Sequence, residues 1–73
     1  MNLYELDINK VAVVKKINLE NNMRKRLLNY GIRENIMVKP VFCAIAGNPR
    51  AYEVKKNLIV IRNEDAIKIE VMS

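Results

Sequence analysis

Apolar residues in this chain recur at every second position, in short runs broken by turn residues. A period of two suits a pleated strand with one buried face. Val11, Val13 and Ile17 fall on one side of the first run, with Ala12, Val14 and Lys16 on the other. Ile36, Val38, Pro40 and Phe42 alternate with Met37, Lys39, Val41 and Cys43. Tyr52 and Val54 alternate with Glu53 and Lys55, and Ile67, Ile69 and Val71 with Lys68 and Glu70. Leu58–Ile61 is apolar at each position, which predicts a strand buried on both faces or covered by a helix.

Turn signals separate the runs. Asp7-Ile8-Asn9 precedes the first, and Lys56-Asn57 is expected as a two-residue hairpin connection, because Asn tolerates positive φ. Gly47-Asn48-Pro49 closes a loop that starts near Ala44 and is expected to be mobile. Pro40 cannot donate to a ladder, so its strand is expected to be an edge there, or to bulge. Glu64-Asp65 is expected to cap a turn over Asn63–Ala66.

One segment departs from the period of two. Met23, Leu27 and Tyr30 stand at i, i+4 and i+7 with Leu28 beside them, which predicts a helix over Met23–Gly31. Asn21 or Asn22 can cap its start, and Gly31 suits the left-handed position after its end. Isolated helices shorter than about 12–15 residues are marginal, so this one must dock on the strands. Arg24, Lys25 and Arg26 lie in its first half, where the dipole does not favour cations. With 73 residues, the chain is expected to form one domain spanning 1–73. The predicted fold is mainly β: a small SH3-like barrel of about five strands with one short helix.

The residue types narrow the chemistry. The chain has no histidine and one cysteine, so the commonest general base is absent. Cys43 lies in a strand pattern and is expected to be buried and inert. No carboxylates pair convincingly, and a thiolate without imidazole is a poor transition-metal set. Gly47-Asn48-Pro49 lacks the glycine spacing and the Lys-Ser/Thr pair of a phosphate loop. No catalytic, cofactor-binding or metal-binding residue is therefore assigned, and no enzyme activity is expected. No apolar run approaches the ~20 residues that span a bilayer, and the start does not read as a signal peptide; a cytoplasmic location is expected. The net charge of +5 favours acidic partners without choosing among nucleic acid, an anionic membrane face and an acidic protein.

Taken in order, the residues resemble a family. Leu3 and Leu6, Ala12 and Val14, then Arg26, Leu27, Tyr30, Gly31 and Ile32 follow the pattern of FeoA, the small ferrous iron transport protein A. Val38 continues it, as do Ala44, Gly47 and Pro49 in a loop and Ile61, Arg62, Ala66 and Ile69 at the end. The departures are Asn9 and Asn35 for turn glycines, Tyr30 and Ile61 for leucines, and Ile45 and Asn48 for a loop proline and aspartate. Asn can adopt the left-handed conformation, so the turns should survive. The resemblance implies a non-enzymatic SH3-like accessory or regulator of ferrous iron uptake. It also implies a partner, FeoB, a membrane transporter with a cytosolic GTP-binding domain.

On this reading the expected partner-binding residues are Arg24, Lys25, Leu28 and Arg33 around the helix, and Ile45 in the loop. Membrane contact would be peripheral only, and the edge at Pro40 leaves room for weak self-association. The alternative is a small basic barrel that binds nucleic acid. Against it, aromatics are few, and Tyr30 and Phe42 fall at expected core positions, leaving no stacking platform.

Overall fold

In the computed structural model, which describes residues 1–73, five strands form. A 3-10 turn (Leu3–Glu5) is followed by β1 (Ala12–Ile17), α1 (Asn21–Asn29), β2 (Met37–Cys43), β3 (Arg50–Val54), β4 (Asn57–Ile61), the single-turn helix α2 (Asn63–Ala66) and β5 (Ile69–Met72). All neighbouring strands are antiparallel, in the order β4-β3-β2-β1-β5.

Pro40 explains how one sheet becomes a barrel wall. Met37 and Val38 pair with β1, while Lys39 to Cys43 pair with β3. Pro40 therefore lies beyond the β1 ladder, where a missing N–H costs nothing. Its carbonyl accepts a hydrogen bond from the Asn9 N–H at 2.6 Å. The β2–β3 register shifts between Pro40 and Phe42. A strand that changes partners through such an irregularity turns a corner between two sheets. Both expectations for Pro40, edge and bulge, are met.

The same irregularities correct the expected faces. Past the shift, Phe42 points to solvent although Val38 and Pro40 are buried. In β1 the pairing with β5 shifts between Val14 and Lys16. The buried set is therefore Ala12, Val14 and Ile17, with Val11 exposed. β4 is an outer strand with one covered face: Ile59 and Ile61 are buried, whereas Leu58 and Val60 are exposed. Ile67 is also exposed, and Ile69 and Val71 alone of that run enter the core.

Among the turns, Asn9 (φ 70°) and Asn35 (φ 69°) are left-handed, as their side chains permit. The β3–β4 hairpin turns on Lys55 and Lys56 rather than Lys56 and Asn57, because Val54 pairs with Asn57. Both lysines have positive φ, 50° and 69°, as a type I′ turn requires. Lysine is strained there and glycine is not. Lys56→Gly is expected to raise stability by about 1 kcal/mol, read as a higher urea midpoint at unchanged slope.

The core is one cluster of 15 buried residues. The N-terminal segment is built into it: Leu3 and Leu6 are both buried. Asn2 and Glu5 cap each other around the 3-10 turn, through Asn2 N–H to Glu5 Oε1 (2.8 Å) and Glu5 N–H to Asn2 Oδ1 (3.1 Å). The Val71 N–H also donates to the Met1 carbonyl at 2.8 Å.

Arg50, 8% exposed, is the one buried cation. It donates to the Tyr4 carbonyl (Nη1, 2.8 Å) and the Leu6 carbonyl (Nη2, 2.9 Å). The Tyr4 and Tyr52 rings lie 5.9 and 5.6 Å from its guanidinium carbon. Burial pushes the Tyr52 phenol above its ordinary pKa, and the Arg50 charge opposes that shift.

Candidate functional site

The helix predicted over Met23–Gly31 forms two residues earlier, over Asn21–Asn29. Neither Asn21 nor Asn22 caps it. Glu20 holds the N-cap position in extended conformation, without a side-chain hydrogen bond. Leu19 just before it packs against the core, which sets where the chain turns into the helix.

The other end follows expectation. Gly31 has φ 96°, its N–H donates to the Leu28 carbonyl at 3.0 Å, and the Ile32 N–H donates to the Leu27 carbonyl at 2.9 Å. This is the Schellman closure, in which only glycine adopts the left-handed residue without strain. It swings Ile32 into the core cluster beside Leu27. Tyr30, expected in the core, is exposed, because Ile32 occupies the interior past the turn.

Leu27 is the only fully buried side chain of α1; Met23 is half-buried, and Arg24, Lys25, Arg26 and Leu28 are exposed. Residues three and four apart share a helix face. Arg24 and Lys25 therefore stand one turn above Leu28. A surface groove of about 590 Å³ runs along that face, lined by Ile17, Asn21, Arg24, Lys25, Leu28, Ile32, Arg33 and Glu34. Ile17 ends β1, and Ile32 and Arg33 follow α1. Ile17 and Ile32 are themselves almost wholly buried, so Leu28 is the groove's exposed apolar side chain. Three cations and one carboxylate also line the groove.

None of these cations is paired. The single ion pair of the structure joins Lys39 and Glu53 at 3.4 Å, on a different face. Glu20 stands four residues before Arg24 but makes no ion pair with it. Three charges thus lie on or beside a short helix without an ion pair. Because the helix begins at Asn21, only Arg24 stands toward its positive end, and Lys25 is central. Arg26, expected in the first half, falls in the last turn, where the dipole favours a cation.

Four of the five residues expected to bind a partner line this one groove. Ile45 does not: it is fully exposed in the β2–β3 loop. That loop, expected to be mobile, is tied to α2. The Asn63 N–H donates to Asn48 Oδ1 (3.0 Å), and Asn63 Nδ2 donates to the Gly47 carbonyl (2.8 Å). Asn48 thereby satisfies a free N–H at the start of α2, a role expected of Glu64-Asp65.

Cys43, expected to be buried, is exposed and free. No group of three or more Cys, Asp or Glu side chains converges. Phe42 and Tyr30 are surface residues, against expectation. Tyr30 lines a depression with Met23 and Val60, and Tyr4 another with Cys43 and Arg50. No aromatic ring lines the basic groove. No helix is long and apolar enough to cross a membrane.

The sequence pattern did not reveal that Ile17, Asn21, Ile32 and Glu34 complete the groove. Their meeting depends on how α1 returns to the end of β1. Arg50 was legible in principle. It stands two residues before Tyr52 and four before Val54, in phase with the buried face of β3.

The family model for the FeoA domain matches residues 1–73. No curated protein matches the chain at a significant level. Among solved structures, the solution structure of a FeoA protein from Chlorobium tepidum superposes with a TM-score of 0.94 at 28% identity, covering 99% of this chain and 69% of that one. Iron(II) transport protein A from Clostridium thermocellum gives 0.92 at 24% identity, over 99% of this chain and 44% of that one, a likeness of fold. The zinc complex of FeoA from Stenotrophomonas maltophilia, described as a procaryotic SH3 domain protein, gives 0.81 at 27% identity, over 97% and 88% of the two chains. The expected SH3-like architecture is thus the observed one.

Proposed function

Because this chain belongs to the FeoA domain family, we propose that it is a non-enzymatic cytoplasmic accessory protein of ferrous iron transport that docks on the cytosolic GTP-binding region of the transporter FeoB. The observation that carries this reading is the convergence of Arg24, Lys25, Arg33 and the exposed Leu28 on one groove, with no ion pair among them. An exposed leucine ringed by unpaired cations suits a protein interface with an apolar centre and a charged rim. The charges would speed encounter with an acidic partner and the leucine would hold it. Ile45, on a loop braced by Asn48 and Asn63, is available as a second, separate contact.

A pull-down tests this reading. The purified cytosolic domain of the transporter, nucleotide-free or loaded with GDP or a GTP analogue, is expected to retain this protein at low salt. Arg24→Glu with Leu28→Asp should weaken retention at least tenfold, about 1.4 kcal/mol, with the fold intact. Absence of binding in every nucleotide state would overturn the proposal.

A further inference from the structure

The groove beside α1 has a shape and charge that specify more than a docking face. Its volume of about 590 Å³ lies within the range that takes a small ligand or a few side chains. Its apolar lining residues are Ile17, Ile32 and Leu28, of which Leu28 alone is exposed and offers the apolar contact; Arg24, Lys25 and Arg33 also line it. Glu34 is its only carboxylate.

Each alternative occupant conflicts with some part of this. A bilayer face is broad and flat and would recruit cations over a whole surface rather than around a recess. A nucleic-acid strand would use a basic track with aromatic platforms, and no aromatic ring lines this groove. A second copy of this chain also carries +5, a charge that opposes its approach to this basic face. What remains is an extended segment with a branched apolar side chain for Leu28 and carboxylates for the cations.

From this we propose that the groove is a recognition site for a short acidic linear segment of a partner protein, with one leucine-like residue seated against the exposed Leu28. The proposal rests on the docking reading above and gives its partner surface a chemistry. The branched residue supplies the apolar contact. The flanking carboxylates meet Arg24, Lys25 and Arg33, which line the same groove. The arginines suit bidentate pairing with carboxylates, which fixes orientation as well as adding attraction.

The probe is a synthetic capped peptide of Glu and Asp around one central Leu, titrated into the isotope-labelled full chain and followed by amide NMR shifts. Shifts are expected at Asn21, Arg24, Lys25, Leu28, Arg33 and Glu34, with little change at Ile45 or in β4. Replacing the peptide's leucine by glycine should weaken binding about tenfold, and a peptide with lysines in place of the acids should not bind. Shortening the Debye length from about 10 Å to about 3 Å with salt should weaken the acidic peptide severalfold. Arg24→Gln and Arg33→Gln, both on exposed side chains, should each weaken it roughly threefold to fivefold while the other amide shifts stay native. Shifts scattered over the surface, or equal binding of the glycine peptide, would overturn the proposal, as would no binding. The docking reading is decided separately. If the transporter domain binds and the peptide neither binds in the groove nor competes, the groove chemistry fails and docking stands. If neither binds, both fail.

Discussion

Replacing Arg50 by methionine is expected to cost about 3 kcal/mol of folding stability, although Arg50 touches no candidate partner surface. Methionine keeps the apolar stem and removes both guanidinium donors. The Tyr4 and Leu6 carbonyls would lose bonds of 2.8 and 2.9 Å. Hydrogen bonds from a charged donor contribute roughly 1.5–3 kcal/mol each, and desolvation of the buried charge offsets part of that. These bonds fasten the segment that carries Leu3 and Leu6 into the core, so their loss loosens the seating of both leucines. In a domain of this size each kcal/mol corresponds to roughly 4–8 °C, so the melting temperature should fall by roughly 12–24 °C. Arg50→Lys should recover only part of the loss, because a single ammonium does not reproduce the two-pronged fork. Thermal melts of the three proteins at one pH are the measurement, and a Met variant within 1 °C or so of the parent would refute the assignment.

The variant also alters behaviour in alkali. Burial raises the Tyr52 pKa in the folded state and Arg50 opposes the rise. The neutral phenol is therefore favoured by folding. That contribution is fully present below the unfolded value of about 10 and is lost as pH rises through the raised folded value. Without Arg50 the opposing effect disappears and the rise is larger. The stability lost to alkali through Tyr52 should then be larger and extend to higher pH than in the parent.

The adjacent leucines of α1 should give opposite results. Leu27→Ala is expected to cost about 3 kcal/mol, within the usual range for a buried leucine. Leu27 is 5% exposed and Leu28 is 54% exposed. Leu27 is the one side chain that fully buries the helix, and its carbonyl receives the Ile32 N–H. A nine-residue helix has little stability of its own. Losing its anchor should release α1 and dissolve the groove. Leu28→Ala should change stability by less than about 0.5 kcal/mol, as surface substitutions do, and act on partner binding instead. Urea unfolding of both variants, paired with retention by the transporter's cytosolic domain, separates the two effects. A stable Leu27→Ala or a strongly destabilised Leu28→Ala would show that the helix seats on another side chain.

The strands were legible because alternation reports which side of a pleat is buried, and that is a local property. The reading failed where pairing altered the pleat. The irregularity after Pro40 sent Phe42 outward, and the one in β1 exchanged its faces. Neither Val54 nor Asn57 reveals alone that the two pair, so the sequence points to a hairpin one residue later than the Lys55-Lys56 turn that forms. Helical spacing continues through Tyr30 and points it inward, whereas the chain turns at Gly31 and buries Ile32 instead. The basic helix and the exposure of Leu28 could be anticipated from composition along one element. Arg50 could have been found by extending the phase of Tyr52 and Val54 backward.

The sequence alone determined the class of fold, the number of strands, the presence of the helix and its stop at Gly31, and the family pattern that runs through Gly31 and Ile32. These follow from periodicity, turn chemistry and residue type, which neighbours in sequence carry between them. Only the tertiary structure decided that Ile17 and Ile32 would meet Leu28 along one groove, that Arg24, Lys25 and Arg33 would line it unpaired, and that Ile45 would lie apart. Those outcomes depend on the strand register and on where Leu27 seats α1. Both are settled by packing between residues distant in the chain.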